Sequence, residues 1–355
     1  MKQPTNRLAY LDWVRGLAAL IMLQGHVFHS FLRKDLREGG PYLMSQFVGG
    51  MPPAIFLFLL GVTFAFLMDS REKKGVIGVQ RWRTSLQRSG YLFLVAFLFR
   101  IQMWLFAYPN NPWTDIFRVD VLNNMGLALA VLSVMAFFKT RERIRLCAVL
   151  GVAIAAAAPL VSNVDWSWAP ELVRNYIIPD KNYFGFFPWA AFVAFGMSVG
   201  SLLRIVKTEE IGGTMQWLAW GGLAVSFTAY TVGNMPLTIY SNSDYWLNGP
   251  ALVFIKLGAV LILLAFGYVW TLQIAESLDW IRQLGTASLL IYWVHIELVY
   301  GRWLGYWKER VPLEPAIAMA VALILLMVGL ANLQRNWAGV KAYAVSRWAP
   351  TASAN

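Results

Sequence analysis

The chain has 355 residues, 58% of them hydrophobic and 14% charged, and its formal net charge is +11. Soluble domains carry about a quarter charged residues and outer-membrane barrels show alternating segments of about ten residues, so neither class fits. The positive charge is concentrated between apolar runs, in REKKGVIGVQRWRTSLQRS and KTRERIR, which is how membrane orientation is encoded and argues against a nucleic-acid partner.

In chain order, ten apolar runs approach the length needed to cross a hydrocarbon core of roughly 30 Å: 13–32, 46–68, 89–107, 119–138, 146–162, 183–203, 214–233, 250–270, 286–303 and 315–333. The predicted fold class is all-α: a polytopic integral membrane protein with about ten transmembrane helices in one bundle and both termini cytoplasmic. With that orientation, Lys and Arg fall on the inner side about twice as often as on the outer. The inner set includes Lys2, Arg7, the tail residues and the basic loops, while Lys181 is among the outer ones. Residues 1–340 read as one membrane domain and 341–355 as a short cytoplasmic tail.

The first run, LDWVRGLAALIMLQGHVFHS, is interrupted by charges and histidines and lacks a small-residue cleavage site, so it reads as the first span and not a leader. Pro52-Pro53 and Pro188 are expected to start or bend their spans. Outer segments such as NPWTD, NVDWSWAPELVRNY and YSNSDYW are rich in Trp, Tyr, Asn and Pro, a weak signal for sugar-binding surfaces. In QIAESLDWIRQLG, Ile274, Leu278, Ile281 and Leu284 recur at helical spacing, which predicts a helix lying on the inner membrane face. No repeat suggests a transporter built from two halves.

The polar groups inside these spans carry the chemistry. At roughly 100° per residue, with Asp12 as zero, Arg15 falls at about −60°, His26 at about −40° and His29 at about −100°. One stripe of the first helix therefore holds all four, spread over a rise of roughly 21 Å from Asp12 to His26. Asp12 and Arg15 can pair at the inner interface. Two histidines on the same stripe are harder to assign to packing, because ionisable groups inside a membrane are expensive and usually functional. Arg100 sits mid-span and needs a partner, for which Asp120 is one choice; Asp120, Asn123, Asn124 and Lys256 otherwise read as lining for a polar acceptor pocket. His295 lies mid-span in ASLLIYWVHIELVYG, with Glu297 about 160° away on the helix.

Histidine suits proton abstraction because its unperturbed pKa lies near neutrality. There is no phosphate-binding glycine loop, serine-nucleophile elbow or His-Glu-x-x-His pattern. With Cys147 as the single cysteine and three histidines over two spans, neither a disulfide nor a metal site is expected.

RLAYLDWVRGLAALIMLQGH resembles the opening of the transmembrane acyltransferase superfamily, through Arg15 followed by ten residues and then His26. PPAIFLFLLGVTFAF, VDVLNNMGLALAV, FGFFPWAAFVAFGMSVG and LGTASLLIYWVHI resemble, in order, successive helices of its heparan-α-glucosaminide N-acetyltransferase-like branch, a relative of the acyltransferase-3 proteins. The resemblance implies a multi-pass enzyme that takes an acyl group, commonly acetyl, from cytoplasmic acyl-CoA and delivers it to a hydroxyl or amine of an extracytoplasmic glycan or glycolipid. A bacterial-type inner membrane is the expected location. His26 would carry catalysis, Arg15 would place the donor or support the site, and Asp12, Arg100 and His295 would support it further. In the animal branch the catalytic histidine lies beyond the equivalent helix, so His29 is also a candidate. Whether the acyl group rests on histidine or passes directly stays open. Arg71, Lys73, Lys74, Arg81, Arg83 and Arg88 are candidates for the CoA phosphates, besides their role in orientation. The competing readings are a transporter or proton-coupled permease using the same stripe as a relay, and a non-catalytic membrane scaffold.

Overall fold

The structure, a computed structural model, describes residues 9–178, 180, 184–235, 239–240, 242–273 and 280–337. Lys2, Arg7, Lys181, Ile274, Leu278 and the 341–355 tail lie outside them. Among the described residues the elements are helical, apart from one isolated bridge between Leu32 and Val311. Six helical stretches are long and apolar enough to cross a membrane: Tyr42–Lys73, Gly78–Ala107, Thr140–Ser162, Phe186–Ile205, Pro250–Gln273 and Leu313–Arg335. The protein is an integral membrane protein. The other four predicted spans fall on two helices of sufficient length but more polar composition, Ala9–Phe31 and Ile211–Gly233, and on the shorter apolar stretches Val121–Phe137 and Ser288–Tyr300. The chain divides into two compact units, Met1–Gly49 with Gln273–Asn355, and Gly50–Leu272.

In the first unit, α1 (Ala9–Phe31) is followed by α2 (Gly40–Gly49), and the chain returns later as α11 (Trp280–Thr286), α12 (Ser288–Tyr300) and α13 (Leu313–Arg335). α1 is a Leu- and Ala-rich run without proline, composed of good helix formers. It buries Leu23 against Leu284, Ile291 and Met327, and Val27 and Phe31 against Val299 and Ala320. Its approach to α11 is backbone on backbone. A Cβ on Gly16 would collide with the carbonyl oxygen of Ile281, and one on Gly285 with that of Asp12. Such small-residue contacts are how membrane helices gain close packing where lipid removes the hydrophobic drive. Gly16→Ala is therefore expected to cost about 1–3 kcal/mol by overpacking, read as a lowered melting temperature in detergent. An unchanged transition would mean that α11 yields without cost.

The far end of α1 is strapped by the loop before α13. Val311 donates its N–H to the Phe31 carbonyl at 2.9 Å, and Glu309 donates to that of Ser30 at 3.0 Å. Glu309 takes a left-handed φ of 59°, a conformation that side chains other than glycine seldom adopt and that this bond helps to hold. Its carboxylate pairs with Lys34 at 2.9 Å, and that hydrogen bond holds it below the usual glutamate range.

In the second unit, α3 (Pro52–Lys73) begins at the paired prolines, whose missing N–H groups fall where a helix has no use for them. α4 (Gly78–Ala107), α5 (Val121–Leu132), α6 (Thr140–Ser162), α7 (Glu171–Ile177), α8 (Phe186–Ile205), α9 (Ile211–Gly233) and α10 (Pro250–Gln273) follow. α8 breaks helical geometry at Phe187, so its regular part starts at Pro188, as the sequence leads one to expect. α3 and α8 meet through Gly61, Gly196 and Gly200, where an added Cβ would strike the partner backbone. Leu94, Leu98, Ile101 and Leu105 of α4 and Trp217, Trp220 and Phe227 of α9 are exposed, as lipid-facing side chains are.

The basic stretch 71–88 is not a loop. α3 runs to Lys73 and α4 starts at Gly78, leaving a tight connection. This folding joins charges that orientation alone does not explain. Asp69 accepts from Arg204 Nε at 2.6 Å and from Thr140 Oγ1 at 3.0 Å, and pairs with Lys73 at 3.1 Å. Glu72 pairs with Arg143 at 3.1 Å and Arg81 at 3.3 Å. Asp69, Arg81 and Arg143 are buried, so removing one partner would leave an uncompensated charge.

Candidate active site

The first unit brings together two histidines separated by 269 positions. His26 Nδ1 lies 3.0 Å from His295 Nε2. The rings stack with centroids 5.2 Å apart and an interplanar angle of 18°. His295 is fully buried on α12, and its Nδ1 lies 2.7 Å from the carbonyl oxygen of Ile291, one turn back on the same helix. A carbonyl only accepts, so the Nδ1 of neutral His295 carries the proton and its Nε2 presents a lone pair. His26 must then donate through Nδ1, which leaves its own Nε2 as the basic atom. The order is Ile291 carbonyl, His295, His26, and then whatever meets Nε2.

His26 is partly accessible, and its Nε2 has no hydrogen-bond partner among the described residues. The edge of the Tyr300 ring meets it at 5.2 Å between centroids and 71°, and Tyr292 meets His295 at 5.8 Å and 72°. Two imidazoles framed by two phenols are thus held by packing and by one backbone acceptor. Such an arrangement can take a proton at Nε2 and keep the resulting imidazolium bonded to His295 through Nδ1.

The other predicted residues distribute unevenly around this pair. His29 is exposed, with its ring centroid 6.4 Å from that of Tyr300 and no hydrogen bond among the described residues that would orient it. Asp12 and Arg15 pair with each other at 2.8 Å. Helix rise places Arg15 roughly 16 Å along α1 from His26, so it does not contact the imidazole pair. Glu297 accepts from Trp303 Nε1 at 2.8 Å.

In the second unit, Arg100 lies 3.4 Å from Asp120, the pairing that the sequence offers as one choice, and also donates to the Arg118 carbonyl at 3.2 Å. Asp120 caps α5 by accepting from the backbone of Leu122 at 2.9 Å, while Asn123 Oδ1 accepts from the Asp120 N–H at 3.2 Å. Asn123 also donates to the Tyr176 hydroxyl at 3.0 Å. These residues therefore have structural duties. Of the candidate CoA contacts, Arg81 is committed to Glu72 and Arg71 donates to Thr84 Oγ1 at 2.6 Å, whereas Arg83 and Arg88 are exposed on α4. Among the described residues there is no cluster of His, Cys, Asp or Glu able to hold a metal ion.

Sequence reasoning missed the network around Asp69, Glu72, Arg143 and Arg204, because each of these charges lies at a helix end where orientation accounts for it. The pairing of His26 with His295 was equally invisible, since both positions were singled out but nothing local links them. With the geometry established, comparison with known families is informative. A family model described as heparan-alpha-glucosaminide N-acetyltransferase, catalytic, matches residues 7–244, more than half of the chain. The matched region includes His26 and ends before His295. No curated protein matches.

Proposed function

Because this chain belongs to the heparan-alpha-glucosaminide N-acetyltransferase catalytic family, a membrane acetyltransferase family, we propose that it moves an acetyl group from cytoplasmic acetyl-CoA to a hydroxyl or amine of an extracytoplasmic glycan or glycolipid. The observation that carries the reading is the His26–His295 pair, which leaves His26 Nε2 available as a general base. The acceptor's oxygen or nitrogen attacks the thioester carbonyl carbon and gives its proton to His26 Nε2. The C–S bond then breaks, and the departing thiolate recovers a proton from the imidazolium. His295 does not contact substrate. It is a positioning residue that fixes the tautomer and stabilises the charged ring.

In this reading His26 carries the reaction and His29 does not, because only His26 is oriented. Arg15 and Asp12 support the donor end of α1, and Arg83 and Arg88 remain available to CoA phosphates. Residues 1–340 act as one acyltransferase domain with 341–355 as a tail. α1, α9, α12 and the short 121–137 stretch complete ten spans with both termini inside, in an inner membrane of bacterial type. Donors other than acetyl-CoA stay within the same chemistry.

The test is incubation of purified protein with labelled acetyl-CoA and amino-sugar glycans, following CoA release and labelled product together. Stoichiometric appearance of both is expected. Solute flux in liposomes without acetyl-CoA consumption would replace the enzyme with a permease.

A further inference from the structure

In the second unit, α9 and α10 pair closely but do not close against α6. A Cβ on Gly222 would press on the Gly258 carbonyl oxygen, and one on Gly233 on the Cβ of Ala251. Ser226 Oγ donates to the Ile255 carbonyl at 3.2 Å along the same seam. Beside this pair remains a cavity of about 690 Å³, with Ala156 of α6 on its wall. Ile239 and Tyr240 complete the lining, and the Tyr240 hydroxyl donates to the Ala156 carbonyl at 2.9 Å.

The lining decides what fills this space. Val225, Ala229 and Val232 of α9 and Phe254 of α10 make it predominantly apolar. Lys256 is no part of the wall; its ammonium stands over the Trp189 ring, 5.2 Å from the centroid. Water needs several polar partners to occupy a cavity, so it is poorly suited to this one. Left empty, a void of this size would cost its lining atoms their contacts, and protein interiors rarely tolerate that. Its volume lies within the roughly 300–1,000 Å³ of small-molecule sites.

Length and position narrow the occupant. The wall follows α9 from Ala224 to Gly233, a rise of roughly 14 Å. That is about the depth of one leaflet of a hydrocarbon core roughly 30 Å thick. Ser243 and Tyr245 line the end at which the chain enters α10, and polar and aromatic side chains of this kind meet lipid headgroups. Val232, Met235 and Ile239 are exposed, so a hydrocarbon chain enters from the bilayer without crossing a polar barrier.

We infer that the cavity is a lipid site that takes one acyl chain of a bilayer phospholipid, lying along α9 with its ester end level with Ser243 and Tyr245. The chain completes packing that α6, α9 and α10 leave open, so this end of the unit depends on lipid for its stability. Such a site is independent of acetyl transfer, and every residue in it belongs to the second unit.

The experiment places the full chain in phosphatidylcholine nanodiscs containing a fraction of phosphatidylcholine with a diazirine on one acyl chain. After irradiation, adducts are mapped by peptide mass spectrometry, with exposed Leu94, Leu98 and Leu105 of α4 as the reference for bulk lipid. Adducts are expected on 224–233 and 250–254. Ala229→Phe, which puts a ring into the cavity, should lower them at least about 5-fold and leave those on α4 unchanged. In lipid-free detergent, added phosphatidylcholine should raise the melting temperature of the wild type and not that of Ala229→Phe. Ala224→Phe, at an exposed position on the same wall, supplies both readouts should the first variant fail to fold. Absence of adducts from 224–233 and 250–254, or adducts that survive the filling variants, would overturn the site. A polyprenyl phosphate that displaces the label where unlabelled phosphatidylcholine at the same concentration does not would overturn phospholipid as the occupant. Neither readout uses acetyl-CoA, so failure here leaves the enzymatic reading standing, and the reverse holds too.

Discussion

His26→Ala is expected to lower acetyl transfer by at least about 10²- to 10⁴-fold, the range that a positioned general base contributes, and in practice to background. The variant removes the one ring nitrogen of the pair that has no hydrogen bond among the described residues, while His295 keeps its own bond to the Ile291 carbonyl. The fold should survive, because α1 is held by Gly16 against α11 and by the apolar contacts of Leu23, Val27 and Phe31, none of which the substitution touches. A melting transition and gel-filtration profile like those of the wild type would establish that. His29→Ala serves as the internal control. Its ring is exposed and unoriented, so transfer should stay within a few-fold of wild type. Normal turnover by His26→Ala, or a collapse confined to His29→Ala, would move the chemistry away from the imidazole pair.

The second large effect is expected at a residue that touches no substrate. His295→Leu deletes the acceptor for His26 Nδ1–H, so the two tautomers of His26 compete and the ring loses its fixed orientation. Orienting partners of metal-bound histidines are worth about 10- to 100-fold, and a loss of that size in kcat is expected here. His295→Gln separates this role from mere packing. Its amide oxygen can accept from His26 Nδ1 while the volume stays similar, so it should recover much of the activity that leucine loses. A purely structural role for His295 predicts the reverse order: leucine would be tolerated better than the polar amide in a fully buried position. Measuring kcat, KM and melting temperature for both variants decides between the two.

Hydropathy and charge act locally, so they were legible without coordinates. Runs such as PPAIFLFLLGVTFAF and ALVFIKLGAVLILLAFGYVW announce membrane helices because their cost in water is a sum over neighbouring residues. The Asp12–Arg15 pair was legible for the same reason: three residues on a helix are adjacent in space. The boundaries were less so. The basic stretch 71–88 looked like a loop because its charges fall outside any apolar window, yet helices run through most of it, where Asp69 and Glu72 satisfy part of that charge.

His26 was marked by its own cost in a membrane helix, and so was His295. What the chain order leaves undecided is that they share a hydrogen bond, because a contact across 269 positions depends on how α1 and α12 pack, and on Gly16 and Gly285 letting α1 and α11 close to backbone distance. The choice between His26 and His29 falls to tertiary structure for the same reason. Both are affordable on one stripe of one helix, but only one of them meets a partner whose proton is already fixed.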